Sequence, residues 1–299
     1  MAMGLYRRVL CATDLSDGAD VALRAADREA RLHGAELYVL HALIGSTLGS
    51  PMSPQGVERS LIDRERLTSE VFEVLLARVA GVTGRTADEV NLAVEAGPPQ
   101  AAIAACATEI GADLVVVGAS GATGLRRWMG SVATHAVRAL TASVLLARPT
   151  GRGAVVVVGT DLTSADLAAR VGAQEAGLRA VPLVLAHSLE VVGAELALAE
   201  PGAVPPVAIP IVPVTELRAT AERRLAEVLT TMGHPGETAV VEGPAGLALT
   251  RIADERGADL IVVGSSDRAG IDRLLLGSVA ESVLAHAHCS VLVVRGPEG

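Results

Sequence analysis

The sequence predicts an α/β protein built as two repeated open five-stranded parallel sheets, each with helices on both faces. Three observations carry that prediction. Short unbroken apolar runs such as Leu114 to Val117 and Leu260 to Val263 alternate with alanine-rich stretches of helical period. Strands buried on both faces and joined by crossover helices read this way. Second, the chain repeats itself: Asp14 and Asp161 lie 147 residues apart, His41 and His187 146, Gly97 and Gly243 146, Asp113 and Asp259 146, Gly118 and Gly264 146, and Gly130 and Gly277 147. A period of roughly 150 residues is domain-sized, so one domain is expected over residues 1–150 and a second over 151–299, with the seam near Pro149 to Gly153. Third, a glycine-punctuated stretch joins an apolar run to a helical pattern in both repeats, GASGATGLRRWMGS from Gly118 to Ser131 and GSSDRAGIDRLLLGS from Gly264 to Ser278.

The elements follow in order. Arg8 to Ala12 reads as a buried strand, stopping at Thr13-Asp14-Leu15-Ser16, where Ser16 is a candidate N-cap for a helix running to His33. Gly34 should end that helix. Glu36 to Leu40 is the second strand, followed by His41-Ala42 and a Gly, Ser and Pro-rich loop from Ile44 to Gly56. Val57 to Val79 carries Leu67, Val71, Leu75 and Val79 on one helical stripe. Val90 to Val94 is the third strand. Gly97-Pro98-Pro99 turns into a helix from Gln100 to Ile110, closed by Gly111. The run at 114 to 117, a helix from Ser131 to Leu140 and a strand from Val144 to Ala147 complete the repeat. The second repeat has strands at Val155 to Val158, Leu183 to Ala186, Thr238 to Val241, Leu260 to Val263 and Val291 to Val294, with a longer proline-rich loop from Glu190 to Pro213.

Composition excludes several function classes. Half the residues are apolar, yet no apolar run approaches the roughly 20 residues of a membrane span. The N-terminus moves directly into a strand pattern, and three cysteines at 11, 106 and 289 show no framework spacing. A cytoplasmic protein with no membrane contact is expected. Every basic residue is arginine, which removes a Walker-A lysine and Schiff-base chemistry. Net charge is −9 and the only aromatics are Tyr6, Tyr38, Phe72 and Trp128, so the basic surface and stacking platforms of a nucleic-acid binder are missing. His286, His288 and Cys289 form HAHC just before a strand; with no second cluster this is read as a loop and strand start, and no metal site is expected. Cys11 and Cys106 fall on buried faces and read as small core residues.

Ligands on parallel α/β sheets bind outside the carboxyl ends of the strands. In the first repeat that gathers Thr13 and Asp14 after strand one, His41 and Ala42 after strand two, and the stretch from Gly118 onward after strand four. Thr160, Asp161, His187 and the stretch from Gly264 do the same in the second. Glycines allow positive φ and close backbone approach, and a helix beginning at Ser131 or Ser278 presents unpaired N–H groups and partial positive charge, the chemistry of an anion site for phosphate. Against this, Asp14 and Asp161 equally suit a plain turn into a helix, and glycines between strand and helix are commonly turn formers. No base, nucleophile and orienting group recur together in both repeats, so no enzyme and no catalytic residue are expected.

These residues resemble the universal stress protein family, duplicated in tandem: TD after strand one, a glycine after strand three, ADLVVVGAS and ADLIVVGSS, and GSV opening the last helix in each repeat. The resemblance covers both repeats almost end to end and implies the family's Rossmann-like five-stranded fold. It also implies a stress-response role. Nucleotide-binding members carry G-x2-G-x9-G-(S/T), whose glycine loop holds the phosphates of ATP while the aspartate after strand one helps hold adenosine. Carried over, that implicates Thr13, Asp14, His41, Ala42, Gly118, Gly121, Gly130, Ser131 and Val132 in the first repeat. In the second it implicates Thr160, Asp161, His187, Gly264, Gly277, Ser278 and Val279, with magnesium on the phosphates in either repeat and weak ATP hydrolysis the most activity expected.

Neither repeat matches the motif fully. Eight residues separate Gly121 from Gly130, one fewer than the family spacing, and Asp267 stands where the second repeat should have its second glycine. Members lacking the motif bind no ATP, so the alternative is a stress-associated interaction or scaffold protein with two degenerate loops and a protein partner. The fifth strands, Val144 to Ala147 and Val291 to Val294, are edge strands in the family, and an apolar edge needs cover. Edge should therefore meet edge within one molecule, an internal pseudo-dimer. Pairing of whole chains into a homodimer is common among two-domain members.

Overall fold

The structure is a computed structural model that describes residues 4–43, 54–119, 131–149, 154–163, 166–189, 213–265 and 276–296. In the first half run β1 (Arg8–Thr13), α1 (Asp20–His33), β2 (Glu36–Leu43), α2 (Pro54–Thr83), a 3-10 turn (Ala87–Glu89), β3 (Asn91–Ala96), α3 (Pro99–Ile110), β4 (Leu114–Gly118), α4 (Ser131–Ala139) and β5 (Ser143–Ala147). The second half repeats the plan with β6 (Val156–Gly159), α5 (Leu167–Arg179), β7 (Leu183–Leu189), α6 (Val214–Met232), β8 (Glu237–Glu242), α7 (Ala245–Arg256), β9 (Leu260–Gly264), α8 (Ser278–His286) and β10 (Ser290–Val294).

Within each half the strands are parallel, as the unbroken apolar runs predict. The two sheets are not separate. They join edge to edge into one ten-stranded sheet of order β3-β2-β1-β4-β5-β10-β9-β6-β7-β8, with β5 and β10 antiparallel. Leu145 pairs with Leu292 at the centre, flanked by Val144 with Val293 and Leu146 with Val291. Adding 147 to each first-half number gives its second-half equivalent, so this register is its own twofold image. All ten residues of the two strands are buried, which is how two apolar edges escape water.

Alternation along each strand builds a core on both faces. Val9, Cys11, Val39 and Val116 join Leu23, Ala26, Leu75 and Val79 of α1 and α2, while Leu10, Leu40, Val115 and Val117 join Ile103, Ala107 and Val137 of α3 and α4. Helix ends follow their glycines: Gly34, Gly111 and Gly257 adopt φ of 64°, 58° and 61° and cap α1, α3 and α7. At the end of α5, Ala180 takes the same left-handed conformation at φ 54° despite its Cβ.

Three expectations change. Helix α1 starts at Asp20, not after Ser16; Ser16 instead closes a turn, its carbonyl and Oγ both accepting from Ala19 N. Helix α2 begins at Pro54, inside the stretch read as loop, because proline's fixed φ suits a first turn. Strands β2 and β7 run on to Leu43 and Leu189, so His41, Ala42 and His187 lie within strands; pairing of His41, Ala42 and Leu43 with Val94, Glu95 and Ala96 extends the ladder past the end of the apolar run.

Candidate functional site

Each half ends its first strand in the same turn. Thr13 and Thr160 are buried, and the Oγ1 of each accepts from the N–H of the leucine two residues on, at 3.1 Å in both halves. Those leucines, Leu15 and Leu162, sit at φ 62° and 67°. An L-residue with a γ-branched side chain holds that conformation only against a steric cost of about 1–3 kcal/mol, so the turn is enforced by its hydrogen bonds. Asp14 Oδ1 accepts from Ser16 N (3.0 Å) and Ser16 Oγ (2.5 Å), and Asp161 Oδ1 from Thr163 N (3.0 Å). Both aspartates are exposed.

The second strand locks onto this turn. His41 Nδ1 donates to the Thr13 carbonyl and His187 Nδ1 to the Thr160 carbonyl, each at 2.9 Å. A carbonyl only accepts, so the bonded nitrogen carries the proton. After the third strand, Gly97 and Gly243 adopt φ 140° and 112° and donate to the carbonyls of Leu43 and Leu189, the last residues of the second strands. A Cβ at either glycine would meet nothing within 4 Å, so φ alone demands the glycine. Asp14, His41 and Ala42 thus share one edge with Gly118, all at the carboxyl ends of adjacent strands. Asp161, His187 and Gly264 share the equivalent edge.

The stems of the glycine stretches are set. Gly118 lies beside Ala147 and Ala119 N donates to Ala147 O; equivalently Ser265 N donates to Val294 O. In the second half Gly277 N also bonds Ser265 O at 3.0 Å, closing the loop at its base. Gly277 is the extended N-cap of α8 and has no side chain to cap the first turn, which holds Ser278 and Val279. Val132 stands in the first turn of α4. Gly121, Gly130 and Asp267 lie outside the described residues. What the sequence reading missed is the pair of left-handed leucines; the TDL repeated at both strand ends was the available signal.

Other chemistry-bearing groups lie elsewhere. Cys11, Cys106 and Cys289 are buried, and burial pushes the Cys11 and Cys289 thiols up to about 12. His286 Nδ1 bonds the Ser282 carbonyl and exposed His288 bonds Asp254. Buried Glu29, His33 and Glu175 bring three ligand-type atoms within 4.8 Å. Leu5 N donates to His33 Nδ1 at 3.1 Å, so the ring proton is on Nε2, facing Glu175 Oε1 at 3.1 Å. That nitrogen has no lone pair for an ion, and the carboxylates are already bonded to Arg179. A cavity of about 690 Å³ between α5 and α6 lies against Val171, Gln174, Val228 and Met232 and reaches Thr163 and Asp166 of the turn after β6. Among the described residues no helix is long and apolar enough to cross a membrane.

Comparison with known proteins agrees with this fold. The Universal stress protein family profile matches residues 5–148 and again 154–295. A universal stress protein of Methanocaldococcus jannaschii is 38% identical over 78 residues, 26% of this chain and 46% of that protein. Universal stress protein A homolog 2 of Coxiella burnetii is 41% identical over 76 residues, 25% of this chain and 51% of that one. The chain spans about half the length of these relatives. Over nearly the full chain, the crystal structure of a universal stress protein from Archaeoglobus fulgidus has the same fold, with a TM-score of 0.63 at 18% identity, covering 98% of this chain and 97% of that one. A Pseudomonas aeruginosa protein of unknown function gives 0.61 at 18% identity, covering 97% and 92%. With its profile matched twice and nearly end to end, the chain belongs to the universal stress protein family.

Proposed function

We propose that the chain is a stress-response regulator that binds an adenine nucleotide, ATP with magnesium on its phosphates, at the carboxyl edge of the sheet, and that occupancy alters how it meets a protein partner. The observation that supports this most is the Thr-Asp-Leu turn, held identically in both halves against left-handed strain and leaving an exposed aspartate beside the stem of a glycine loop. A plain turn has no need of that strain in duplicate. Thr13, Asp14, His41 and Ala42 would take the adenosine, and Gly118, Gly121, Gly130, Ser131 and Val132 the phosphates. In the second half these roles pass to Thr160, Asp161 and His187, and to Gly264, Gly277, Ser278 and Val279. The first turn of α8, which Gly277 cannot cap with a side chain, fits an anion. Binding, not turnover, is the proposed activity. Asp267 favours a second reading for that half, an empty loop serving interaction only, since its charge would stand beside the phosphates.

Titration calorimetry with Mg-ATP on the parent and on Asp14→Ala and Asp161→Ala, with identification of any nucleotide that co-purifies, tests the proposal. Saturable binding weakened by at least one substitution is expected. No heat and no co-purified nucleotide would leave the scaffold reading.

A further inference from the structure

The junction between the halves has two kinds of contact. Around β5 and β10 the contacts are symmetric under the 147-residue offset. Arg148 reaches across to the Leu284 carbonyl, and its equivalent Arg295 reaches back to the Val137 carbonyl. Arg148 N donates to Ser290 Oγ and Arg295 N to Ser143 Oγ, both at 3.2 Å. Any two halves, alike or unlike, could make these bonds.

The helices flanking the junction break that symmetry. On one face α1 meets α5, where the offset is 146. Glu29 is equivalent to Glu175, but His33 is equivalent to Arg179. Both unlike bonds cross the junction: Arg179 Nη2 donates to Glu29 Oε1 at 2.5 Å, and His33 Nε2 donates to Glu175 Oε1 at 3.1 Å. Arg179 Nε also holds Glu175 Oε2 within its own helix. The four side chains are almost wholly buried, with Tyr6 packed edge-on to His33 and Arg28 beside Glu29. On the other face Arg138 of α4 bonds Glu281 of α8 at 2.7 Å, and the equivalents of those two are Ala285 and Thr134.

We propose that this junction is a heterospecific docking surface: the first-half face fits the second-half face, in the same chain or in a second copy, and rejects a copy of itself. Two first halves would bury Glu29 twice, against two imidazoles and with no Arg179 guanidinium. Two second halves would place two guanidinium groups where one guanidinium and one imidazole now fit, and would leave Glu281 opposite alanine. A buried carboxylate deprived of its guanidinium costs far more than the exposed loss, so Arg179 dominates the choice. The symmetric strand contacts supply affinity and the unlike helix contacts supply selection.

The test keeps the whole folded chain as its starting point. A protease site placed between residues 150 and 152 is cut after folding, the cut protein is incubated to allow exchange, and native mass spectrometry sorts the pairs by mass. Random pairing makes about half of all pairs mixed; the expected result is a mixed-to-like ratio about 10-fold or more above random. In Arg179→His the second-half face takes on first-half chemistry and the ratio should fall toward random. A purely structural role for Arg179 would weaken all pairings without moving the ratio. Arg138→Glu, on the exposed face where folding is not at stake, should lower the ratio about 2-fold. A random mixture or free halves from the parent, or an unchanged ratio in both variants, would overturn the proposal.

Discussion

The two halves share a backbone plan but distribute volume and charge differently inside it. In the first half Ala26 of α1 and Cys11 of β1 are fully buried; the equivalent positions in the second half are Gly172 and Val158. A Cβ on Gly172 would come within 2.2 Å of Val158 Cγ2, so the larger strand residue is accepted only because the helix gave up its methyl group. The charged positions differ in the same way, His33 for Arg179 with Glu29 and Glu175 unchanged. Differences between the copies are thus compensated by contact neighbours. Some of those neighbours lie in the same half and some across the junction.

The largest expected effect comes from the charge difference. Arg179→Met leaves Glu29 and Glu175 buried without their shared guanidinium and should cost about 3–5 kcal/mol in urea unfolding; a loss below about 1 kcal/mol would show that the two carboxylates are not held by it.

Next, the equivalent glutamates should respond oppositely to pH. Burial, then the Glu175 charge, push the Glu29 carboxyl up, outweighing Arg179. Burial pushes Glu175 the same way, but the hydrogen bond from His33 and the charge of Arg179 outweigh it and hold it below its usual 4.5. A depressed carboxyl contributes stability above its unfolded value that is lost as pH falls through the folded one; a raised carboxyl carries a cost above its folded value that is relieved toward acid. Glu175→Gln should therefore cost about 1–3 kcal/mol at pH 7, with the gap from the parent closing below about pH 4.5. Glu29→Gln should cost less at pH 7, and any cost should grow as the pH falls, since the parent then gains the relief that glutamine cannot. Unfolding midpoints measured from pH 7 to 3 decide it; parallel curves for the two variants would break the comparison.

The volume difference gives a smaller effect. Gly172→Ala should lose about 1–2 kcal/mol, overpacking against Val158 outweighing the helix propensity gained. Adding Val158→Cys recreates the first-half arrangement and should recover most of that loss. Thermal unfolding of the single and double variants would show it, and no recovery would mean the strain is not local to this contact.

Smallest are the effects at the proposed nucleotide sites. The first half should bind ATP more tightly than the second, so Asp14→Ala should weaken binding about 10-fold and Asp161→Ala less, glycines relaxing a loop one residue short more easily than Asp267 can be tolerated beside phosphate. Asp267→Gly should raise second-half affinity by a few-fold, most clearly at low ionic strength. Calorimetry on the three variants would reverse the ranking of the halves if Asp161→Ala alone abolished binding.

The repeat, the order of strands and helices, the parallel sheets and the glycine helix stops were all legible in the sequence, because periodicity and turn chemistry are local. Gly34 and Gly111 each announce a helix end where it falls. Legibility of the candidate site was partial. Thr13, Asp14 and His41 were read from their places beside strand ends, but the left-handed leucines and the His41 bond to the Thr13 carbonyl emerged only when β1 and β2 were set side by side. Ser16 misled, since a serine suits a turn and a helix cap equally well. The charged junction was invisible. Glu29 lies 150 residues from the Arg179 that bonds it, and His33 142 from Glu175. In sequence these are ordinary charged residues on alanine-rich helices. The sequence by itself determined two copies of one parallel α/β unit, and its family resemblance already pointed to β5 meeting β10; only the tertiary structure decided the register of that antiparallel pair and which charges meet across it, because partners so far apart leave no periodic trace along the chain and are brought together by packing alone.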